Sequence, residues 1–257
     1  MNLDLFAFLS PIVGVFVFFL LERFLLKEKN VVTNRIRTFL GIETLNLILS
    51  IILSAVFLIP LVFLLAPLQI FSFSNLEVPK VLSFILSFLF MDFISYLQHR
   101  LHHKIPTLWK FHRLHHSDKH MDSLTTFLHH PLEIVSGFVF TISFAVIFDV
   151  PVIVMVIYSL IAGLHSPFTH LRKTIPLKIE KYLKYILITP NFHKVHHSID
   201  MKEGNSNFGI IFIFWDIVFG SSCLKTPSDL NKVELGIDNK QHTDTINLIT
   251  LIKNPFV

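Results

Sequence analysis

The segment Asp92-Phe-Ile-Ser-Tyr96-Leu-Gln-His99-Arg100-Leu-His-His103 closes an apolar run of the chain with two histidines four residues apart. If this run is a helix that continues to His103, both imidazoles project from one face of it. Asp92 and Tyr96 precede them at helical spacing on the same face. Because an ionisable residue at membrane depth usually has a functional role, Asp92 and Tyr96 are candidate site residues.

Two later segments, His112-Arg-Leu-His115-His116 and His193-Lys-Val-His196-His197, share a spacing of i, i+3 and i+4. That spacing brings three side chains to one side of a helix. Nine of the 15 histidines lie in windows 99–103, 112–116 and 193–197, where random placement would put roughly one. A solvated basic face would require the geometry and the flanking residues to coincide by chance. The pattern therefore predicts a metal site.

The number of imidazoles indicates more than one metal ion. Structural zinc usually takes four ligands, and catalytic zinc takes three and a water molecule. Eight imidazoles on three short helical faces exceed both sets. Imidazole suits iron, copper, nickel and zinc, and the spacing does not distinguish them. A site beside apolar helices favours redox chemistry, since a hydrocarbon offers no bond to hydrolyse.

The composition predicts an integral membrane protein. Hydrophobic residues make up 52% of the chain, and the mean hydropathy is +0.62. The single cysteine, Cys223, excludes an intrachain disulfide and a cysteine-rich metal site. The formal net charge of +4 is scattered along the chain, so no nucleic-acid partner is expected. Apolar stretches at 5–21, 45–71 and 81–97 predict three spanning helices.

A fourth apolar stretch, 134–164, is too long for one upright span and has Asp149 and Pro151 in its middle. As a helix, its first half would reach only about 22 Å, against a hydrocarbon core of about 30 Å. We therefore predict a broken helical hairpin that enters the membrane and returns. This path keeps windows 112–116 and 193–197 on one side of the membrane, as a shared site requires.

Basic residues predict the orientation and complete the fold prediction. They crowd the predicted loop 22–44 and follow residue 98, whereas 72–80 holds only Glu77 and Lys80 as charged residues. The positive-inside rule then places the site on the cytosolic side of a bacterial inner membrane or endoplasmic reticulum. The fold class is all-α, with three spanning helices, a broken hairpin and a cytosolic helical cap carrying a dimetal site. We divide it into N-terminal anchor helices (1–84), a catalytic domain (85–222) and a polar C-terminal tail (223–257).

Several motifs resemble the fatty acid hydroxylase/sterol desaturase superfamily over roughly residues 85–222. They are the segment 92–103, Pro106-Thr-Leu-Trp109-Lys-Phe-His112-Arg-Leu-His115-His116-Ser117, Thr189-Pro-Asn-Phe-His193-Lys-Val-His196-His197-Ser198, Asn207-Phe-Gly209 and Trp215-Asp-Ile-Val-Phe219-Gly220. The resemblance implies a membrane di-iron oxygenase that hydroxylates or desaturates a lipid or sterol-like substrate, with O₂ as co-substrate. It implies two iron ions, which zinc can replace in a purified sample. It also implies an external electron donor, such as a cytochrome or a ferredoxin with its reductase.

The same resemblance implies ten metal ligands: His99, His103, His112, His115, His116, His130, His170, His193, His196 and His197. Two positions depart from the family pattern. Leu128 stands where the family usually has arginine, and Arg172 stands where it usually has asparagine. These departures predict altered surroundings for the ligands or a different substrate.

Carboxylates near the metals are expected to orient some of the rings through the second ring nitrogen. The candidates are Asp92, Asp122, Glu133 and Asp216. With Tyr96, three of them form the candidate catalytic set of Asp92, Tyr96, Glu133 and Asp216. The isolated histidines, namely His102, His120, His129, His165 and His242, are interpreted as surface or capping residues.

Two other functions stay open at this point. A histidine-rich membrane metal-binding or metal-transport protein without oxygenase activity would favour ionisable residues near the membrane midplane. Here the histidines lie at the membrane edge. An inactive scaffold is the other alternative, although all expected ligands are present. Sterols, fatty acyl chains, sphingolipids, ether lipids and carotenoids all remain possible substrates.

Overall fold

The computed structural model describes residues 3–26, 33–237 and 248–253, and these residues are mainly helical. The helices are α1 (Leu3–Leu26), α2 (Thr33–Leu65), α3 (Lys80–Lys104), α4 (Pro106–His116), α5 (Pro131–Ile147), α6 (Val152–Thr169), α7 (Leu177–Leu183), α8 (Pro190–His196), α9 (Met201–Gly204), α10 (Phe214–Val218), α11 (Pro227–Leu230) and α12 (Leu248–Lys253). Within these ranges no strand forms, and only two isolated bridges pair extended backbone. The prediction of a helical fold is confirmed for this part of the chain.

Three of the described helices are long and apolar enough to cross a membrane. They are α2 over Ile36–Leu68, α3, and α6 with 18 residues. Ile36–Leu68 covers most of the predicted second span, 45–71, and α3 contains the predicted third span, 81–97. The predicted first span lies within α1, which packs along α6. A Cβ at Gly14 would lie only 2.9 Å from Pro167 Cγ, so the two helices approach closely there.

The fourth apolar stretch forms the predicted broken hairpin. Asp149 adopts a φ of +45°, and Pro151 caps the start of α6, so the chain reverses between α5 and α6. Backbone N–H groups of Phe73 and Ser74, in the loop between α2 and α3, donate to Phe148 and Asp149. The hairpin tip thus reaches the far end of α2 and α3, and α6 returns the chain to the histidine end of α3.

Helix α2 begins earlier than predicted. The expected loop 22–44 is helical from Thr33, and the described side chains begin at Ile36. Phe39 and Ile42 are fully buried and belong to an apolar cluster with Leu114 and Leu128. The basic residues in 22–44 suggested a loop. Burial of Phe39 and Ile42 against the segment that contains Leu128 instead stabilises a helix there.

Glu22 ties α1 to the histidine end of the protein. It is 4% exposed, and both of its oxygens accept hydrogen bonds. Oε2 accepts from the backbone N–H and the hydroxyl of Ser123, at 3.0 and 2.8 Å. Oε1 accepts from the backbone N–H of Arg172 at 2.6 Å. One carboxylate therefore joins the end of α1, the turn after α4 and the loop after α6.

We predict that Glu22→Ala lowers the stability of the whole protein. The substitution removes the acceptor of three donors, and each buried donor left unpaired costs about 1–3 kcal/mol. The thermal unfolding temperature in detergent should fall clearly, whereas Glu77→Ala, at an exposed position, should leave it within error. Equal unfolding temperatures for the two variants would contradict this role.

Candidate metal centre

Nine imidazoles converge in two adjacent groups at one end of the helices. The first group is His99, His103, His112, His116 and His196, and the second is His115, His170, His193 and His197. Within each group the nitrogens that could bind a metal all lie within 4.8 Å of one another. Eight of the nine residues are buried, and His99 is half-buried. Histidines separated by almost 100 residues of sequence thus share one enclosed space.

Local helical geometry decides which ring joins which group. In α4, His112 and His116 are four residues apart and face the first group, while His115 faces the second. In and just after α8 the roles are exchanged: His193 and His197 face the second group, and His196 faces the first. Each motif therefore contributes two rings to one group and one ring to the other, so the motifs cross-link the two groups.

The distances between ring nitrogens fit shared metal ions. The Nε2 atoms of His112 and His116 are 3.2 Å apart, as are those of His193 and His197. His170 Nε2 lies 3.0 Å from that of His115 and 3.1 Å from that of His193. Two metal–nitrogen bonds of about 2.0–2.1 Å, meeting at roughly a right angle, separate their nitrogens by about 3 Å. The residues present therefore fit a metal.

Unpartnered nitrogens support the same conclusion. Several buried ring nitrogens have no hydrogen-bond partner among the described residues, including Nε2 of His99, His103 and His196 in the first group. An imidazole nitrogen buried without a partner loses its hydration at a cost of about 1–3 kcal/mol. Coordination of a metal would offset that cost for the nitrogens that face into a group.

Backbone carbonyls fix the orientation of three rings. His99 Nδ1 lies 2.9 Å from the Phe208 carbonyl, and His196 Nδ1 lies 2.7 Å from that of Ser206. His170 Nδ1 lies 2.7 Å from the Ser166 carbonyl. Donation of Nδ1–H to a carbonyl leaves Nε2 deprotonated and directed into the cluster, which is the usual way that proteins select the ligating nitrogen.

Burial keeps the rings neutral. It lowers the pKa of His170 to about 4 and that of His196 to about 3, although carbonyl hydrogen bonds oppose the shift. Burial and neighbouring histidines also hold the pKa values of His115, His193 and His197 well below the usual range. These five rings are therefore unprotonated at neutral pH, as metal ligands must be.

Glu133 is the carboxylate that contacts a clustered ring. Its Oε1 lies 2.6 Å from His112 Nδ1 and 3.0 Å from His129 Nδ1. Among the predicted ring-orienting carboxylates, it has the placement expected of that role, because the contact directs His112 Nε2 toward His116. Burial opposes protonation of His129, but the neighbouring carboxylate of Glu133 outweighs it and raises the pKa of His129.

His129, interpreted from sequence as a surface or capping residue, lies beside the metal cluster instead. Its ring stacks on His115 with centroids 4.5 Å apart and planes 9° apart. Its neighbour His130, an expected ligand, is not brought to either group: His130 Nδ1 accepts from Leu132 N–H at the start of α5, and Nε2 contacts the Ile252 carbonyl. The residue before Pro131 adopts extended backbone, so consecutive side chains diverge and His129 is the one that turns inward.

Asp92, Tyr96 and Asp216 surround the clusters without joining them. Asp216 accepts from the backbone N–H groups of Phe208 and Gly209, both at 2.8 Å. It also accepts from the Ser221 hydroxyl, at 2.7 Å. That hydroxyl lies 2.8 Å from the Tyr96 hydroxyl. Burial raises the pKa of Asp216 to about 6 despite these hydrogen bonds. Because the Phe208 carbonyl faces His99, this network braces the loop that orients a ring.

Asp92, one turn before Tyr96 on α3, also holds backbone of the loop that precedes α10. It accepts hydrogen bonds from the backbone N–H groups of Ile211 and Phe212, from the Trp215 indole at 3.0 Å, and from the Tyr158 hydroxyl at 3.2 Å. Trp215, part of one of the family-like motifs, therefore helps to hold the loop through Asp92. The predicted functional face of α3 has two parts, a ring-bearing end and a loop-bracing end.

The other predicted residues lie outside the two groups. Asp122 caps the turn Ser123–Phe127, and both ring nitrogens of His102 pair with Gln98 and Ser136. His165 lies in α6, His120 is exposed, and His242 lies outside the described residues. Leu128 is fully buried in the apolar cluster, whereas Arg172 bonds Glu22 through its backbone.

A cavity of about 310 Å³ adjoins both groups of rings. It lies between α3, α5 and α6, with Ser95, Gln98, Thr141 and Tyr158 along the helices and His112 and His170 at its inner end. We call it the ring cavity. Its polar side chains could orient a small polar part of a ligand, while the surrounding helices are apolar.

A family model of fatty acid hydroxylases matches residues 84–221, more than half of the chain. The chain belongs to the fatty acid hydroxylase family. Its match covers α3 to α10, and therefore every ring of both groups. The superfamily expected from the sequence is confirmed, and with it the general class of histidine-motif proteins.

Curated relatives similar to this chain are named as a lipid hydroxylase and as monooxygenases. An ornithine lipid hydroxylase of Rhizobium tropici is 27% identical over 165 residues, 63% of this chain and 47% of that protein. Alkylglycerol monooxygenases from Homo sapiens and Xenopus tropicalis are 28% and 31% identical, over 52% and 53% of this chain but 29% of each relative. The chain thus spans less than half the length of these relatives. No solved structure matches it.

We predict that Glu133→Gln weakens metal binding by this family member about 10–100-fold, as loss of such ring-orienting partners typically does. The uncharged amide oxygen is a weaker acceptor than the carboxylate oxygen that both imidazoles contact, so His112 is held less firmly in its orientation. The measurement is competition for iron against a chelator of known affinity, with exposed Glu77→Gln as the matched control. Unchanged affinity would exclude an orienting role for Glu133.

A second substitution tests whether Asp216 braces the loop. We expect Asp216→Asn to destabilise the protein by about 1–3 kcal/mol, because an amide nitrogen would face one of three converging donors. Thermal unfolding of the metal-free protein should detect this loss, while surface Asp229→Asn serves as control. If Asp216→Asn abolished activity without altering unfolding, a catalytic role would replace the bracing role.

Proposed function

We propose that this protein is a membrane di-iron oxygenase that hydroxylates a lipid, with O₂ as co-substrate. The observation that carries the proposal is the pair of buried imidazole groups beside a cavity between apolar helices. Family membership supports the same activity, and both kinds of curated relative are named as a hydroxylase or a monooxygenase. Those names favour hydroxylation over desaturation.

Each group would hold one iron ion, five rings for the first and four for the second. Imidazole alone also suits zinc, which could replace iron in a purified sample. Two bound iron ions would supply the activation of O₂ needed to insert oxygen into a C–H bond. The protein's contribution is to keep the rings neutral and fixed and to hold the site away from bulk water.

The ring cavity is the proposed place for the reacting part of the substrate. His112 and His170 line its inner end, one from each group, so a carbon atom there would be adjacent to both metals. Ser95 and Tyr158 could bind a polar atom near the reacting carbon. We assign Asp92, Tyr96 and Asp216 positioning roles, and Glu133 the orientation of His112.

We place the site on the cytosolic side of the membrane. Lys104 ends α3, and Lys110 and Arg113 lie in α4, so basic side chains cluster at the ring end of the helices. Such clusters remain on the cytosolic side of membrane proteins. A cytosolic electron donor, such as a ferredoxin or a cytochrome with its reductase, could then reach the site directly.

Replacement of single rings tests the proposal. His112→Ala removes a ligand of the first group, and His193→Ala removes one of the second. Each variant should lose about one iron per chain and nearly all lipid hydroxylation, because a site built of coupled ligands fails as a unit. His120→Ala, at an exposed position, should retain both. Iron content, O₂ uptake with a reductant, and the lipid extract of producing cells are the measurements.

The outcomes separate the candidate functions. Two irons per chain with hydroxylated lipid would support the oxygenase. Bound metal without oxidised lipid or O₂ uptake would favour a metal-binding or metal-transport protein. Full activity in His112→Ala would refute the assignment of the rings.

A further inference from the structure

An apolar groove runs along the outside of the helices beside the ring cavity. Its volume is about 540 Å³, and it lies between α3, α4 and α5. Leu108 and Phe111 line it from α4, and Val135, Val139 and Phe144 line it from α5. Val139 is 45% exposed, so the groove is open along its side.

The groove and the ring cavity are neighbours with a shared wall. Gln98 and His102, on successive turns of α3, line both spaces. Thr141 donates to Gln98 Oε1 at 3.1 Å, and His102 Nε2 lies 3.0 Å from Ser136 Oγ. These two pairs connect α3 to α5 and form the wall.

Glycine makes room for this wall. A Cβ at Gly137 would lie 2.8 Å from Gln98 Nε2, so any larger residue would displace the amide. Gly137 lies between the two α5 partners of the wall, Ser136 and Thr141. The sequence therefore reserves space on α5 for the polar end of Gln98.

The length of the groove suits a lipid tail. From Leu132 to Phe144, α5 rises about 18 Å, whereas one leaflet of a bilayer's hydrocarbon core is about 15 Å thick. The groove starts near the ring end of the helices and follows α5, a helix of the membrane hairpin, toward the hairpin tip. Its direction is thus that of an acyl or alkyl chain in the surrounding leaflet.

We propose that this groove binds the hydrocarbon chain of the lipid substrate, and that Gln98 and His102 form the wall past which the reacting segment enters the ring cavity. The inference rests on the proposed function. Contact with both spaces makes Gln98 a specificity-determining residue, because its position sets how much of the lipid lies on the polar side of the wall. Val139, at the open side, controls access of the chain.

Photolabelling tests the groove without requiring catalysis. The probe is hexadecyl glycerol ether with a diazirine near the end of its chain, added to the full-length protein in lipid nanodiscs. We expect labels on Phe140, Ser143 and Phe144, which line the groove toward the hairpin tip, and competition by the unlabelled ether. Val139→Trp should reduce this labelling at least about fivefold, since the indole would occupy space that the chain needs.

The matched control is Ile153→Trp, a substitution at a 47% exposed position of α6 away from the groove. It should leave the labelling unchanged. If Val139→Trp unfolds, Val139→Phe replaces it in the same comparison. Labels spread evenly over the outward faces of α2, α5 and α6, with no effect of either variant, would overturn the proposal.

Turnover separates this proposal from the proposed function. Wild-type protein should hydroxylate both hexadecyl and octyl glycerol ethers, and Val139→Trp should lower turnover of the long chain more than that of the short chain. A wild type that oxidises neither ether while its groove is labelled would count against the proposed function alone. Equal losses for both chains, together with even labelling, would exclude the groove as the chain site.

Discussion

The structure depends on one constraint: nine buried or half-buried imidazoles direct ring nitrogens toward one another in two small groups. Such an arrangement is unfavourable unless metal ions occupy the gaps and other groups fix the backs of the rings. The surrounding elements serve this need. Carbonyls of Ser166, Ser206 and Phe208 orient three rings, and Glu133 orients a fourth. Asp216 then holds the backbone that carries the Phe208 carbonyl.

The crossed use of the two histidine motifs follows from the same constraint. Positions i and i+4 of a helix lie almost above one another, whereas i+3 is rotated to the side. Two short helices that face each other can therefore bind two ions in common, each giving a pair to one and a single ring to the other. Each group of rings draws on both helices, so neither group is complete unless both helices are in place.

Sequence predicted the motifs well because their information is local. Helical spacing identified the three windows, and Asp149 with Pro151 located the break in the hairpin. The sequence favoured His130 over His129 as a ligand, whereas the backbone bend before Pro131 turns the ring of His129 toward the cluster. Glu22 was missed for a different reason. Its hydrogen-bond partners lie more than 100 residues away in sequence, and no local pattern around Glu22 predicts them.

The hydrogen bonds of Glu22 show that the segment shared by the family differs from the segment that folds as a unit. The family match begins at residue 84, yet a carboxylate from α1 and apolar side chains from α2, such as Phe39, complete the interior of the matched part. The part of the chain that is shared across the family is therefore smaller than the part that must fold together. A fragment of residues 84–221 alone would lack the contacts that α1 and α2 supply. Transfer of the histidine segment into another protein would therefore require these two helices as well.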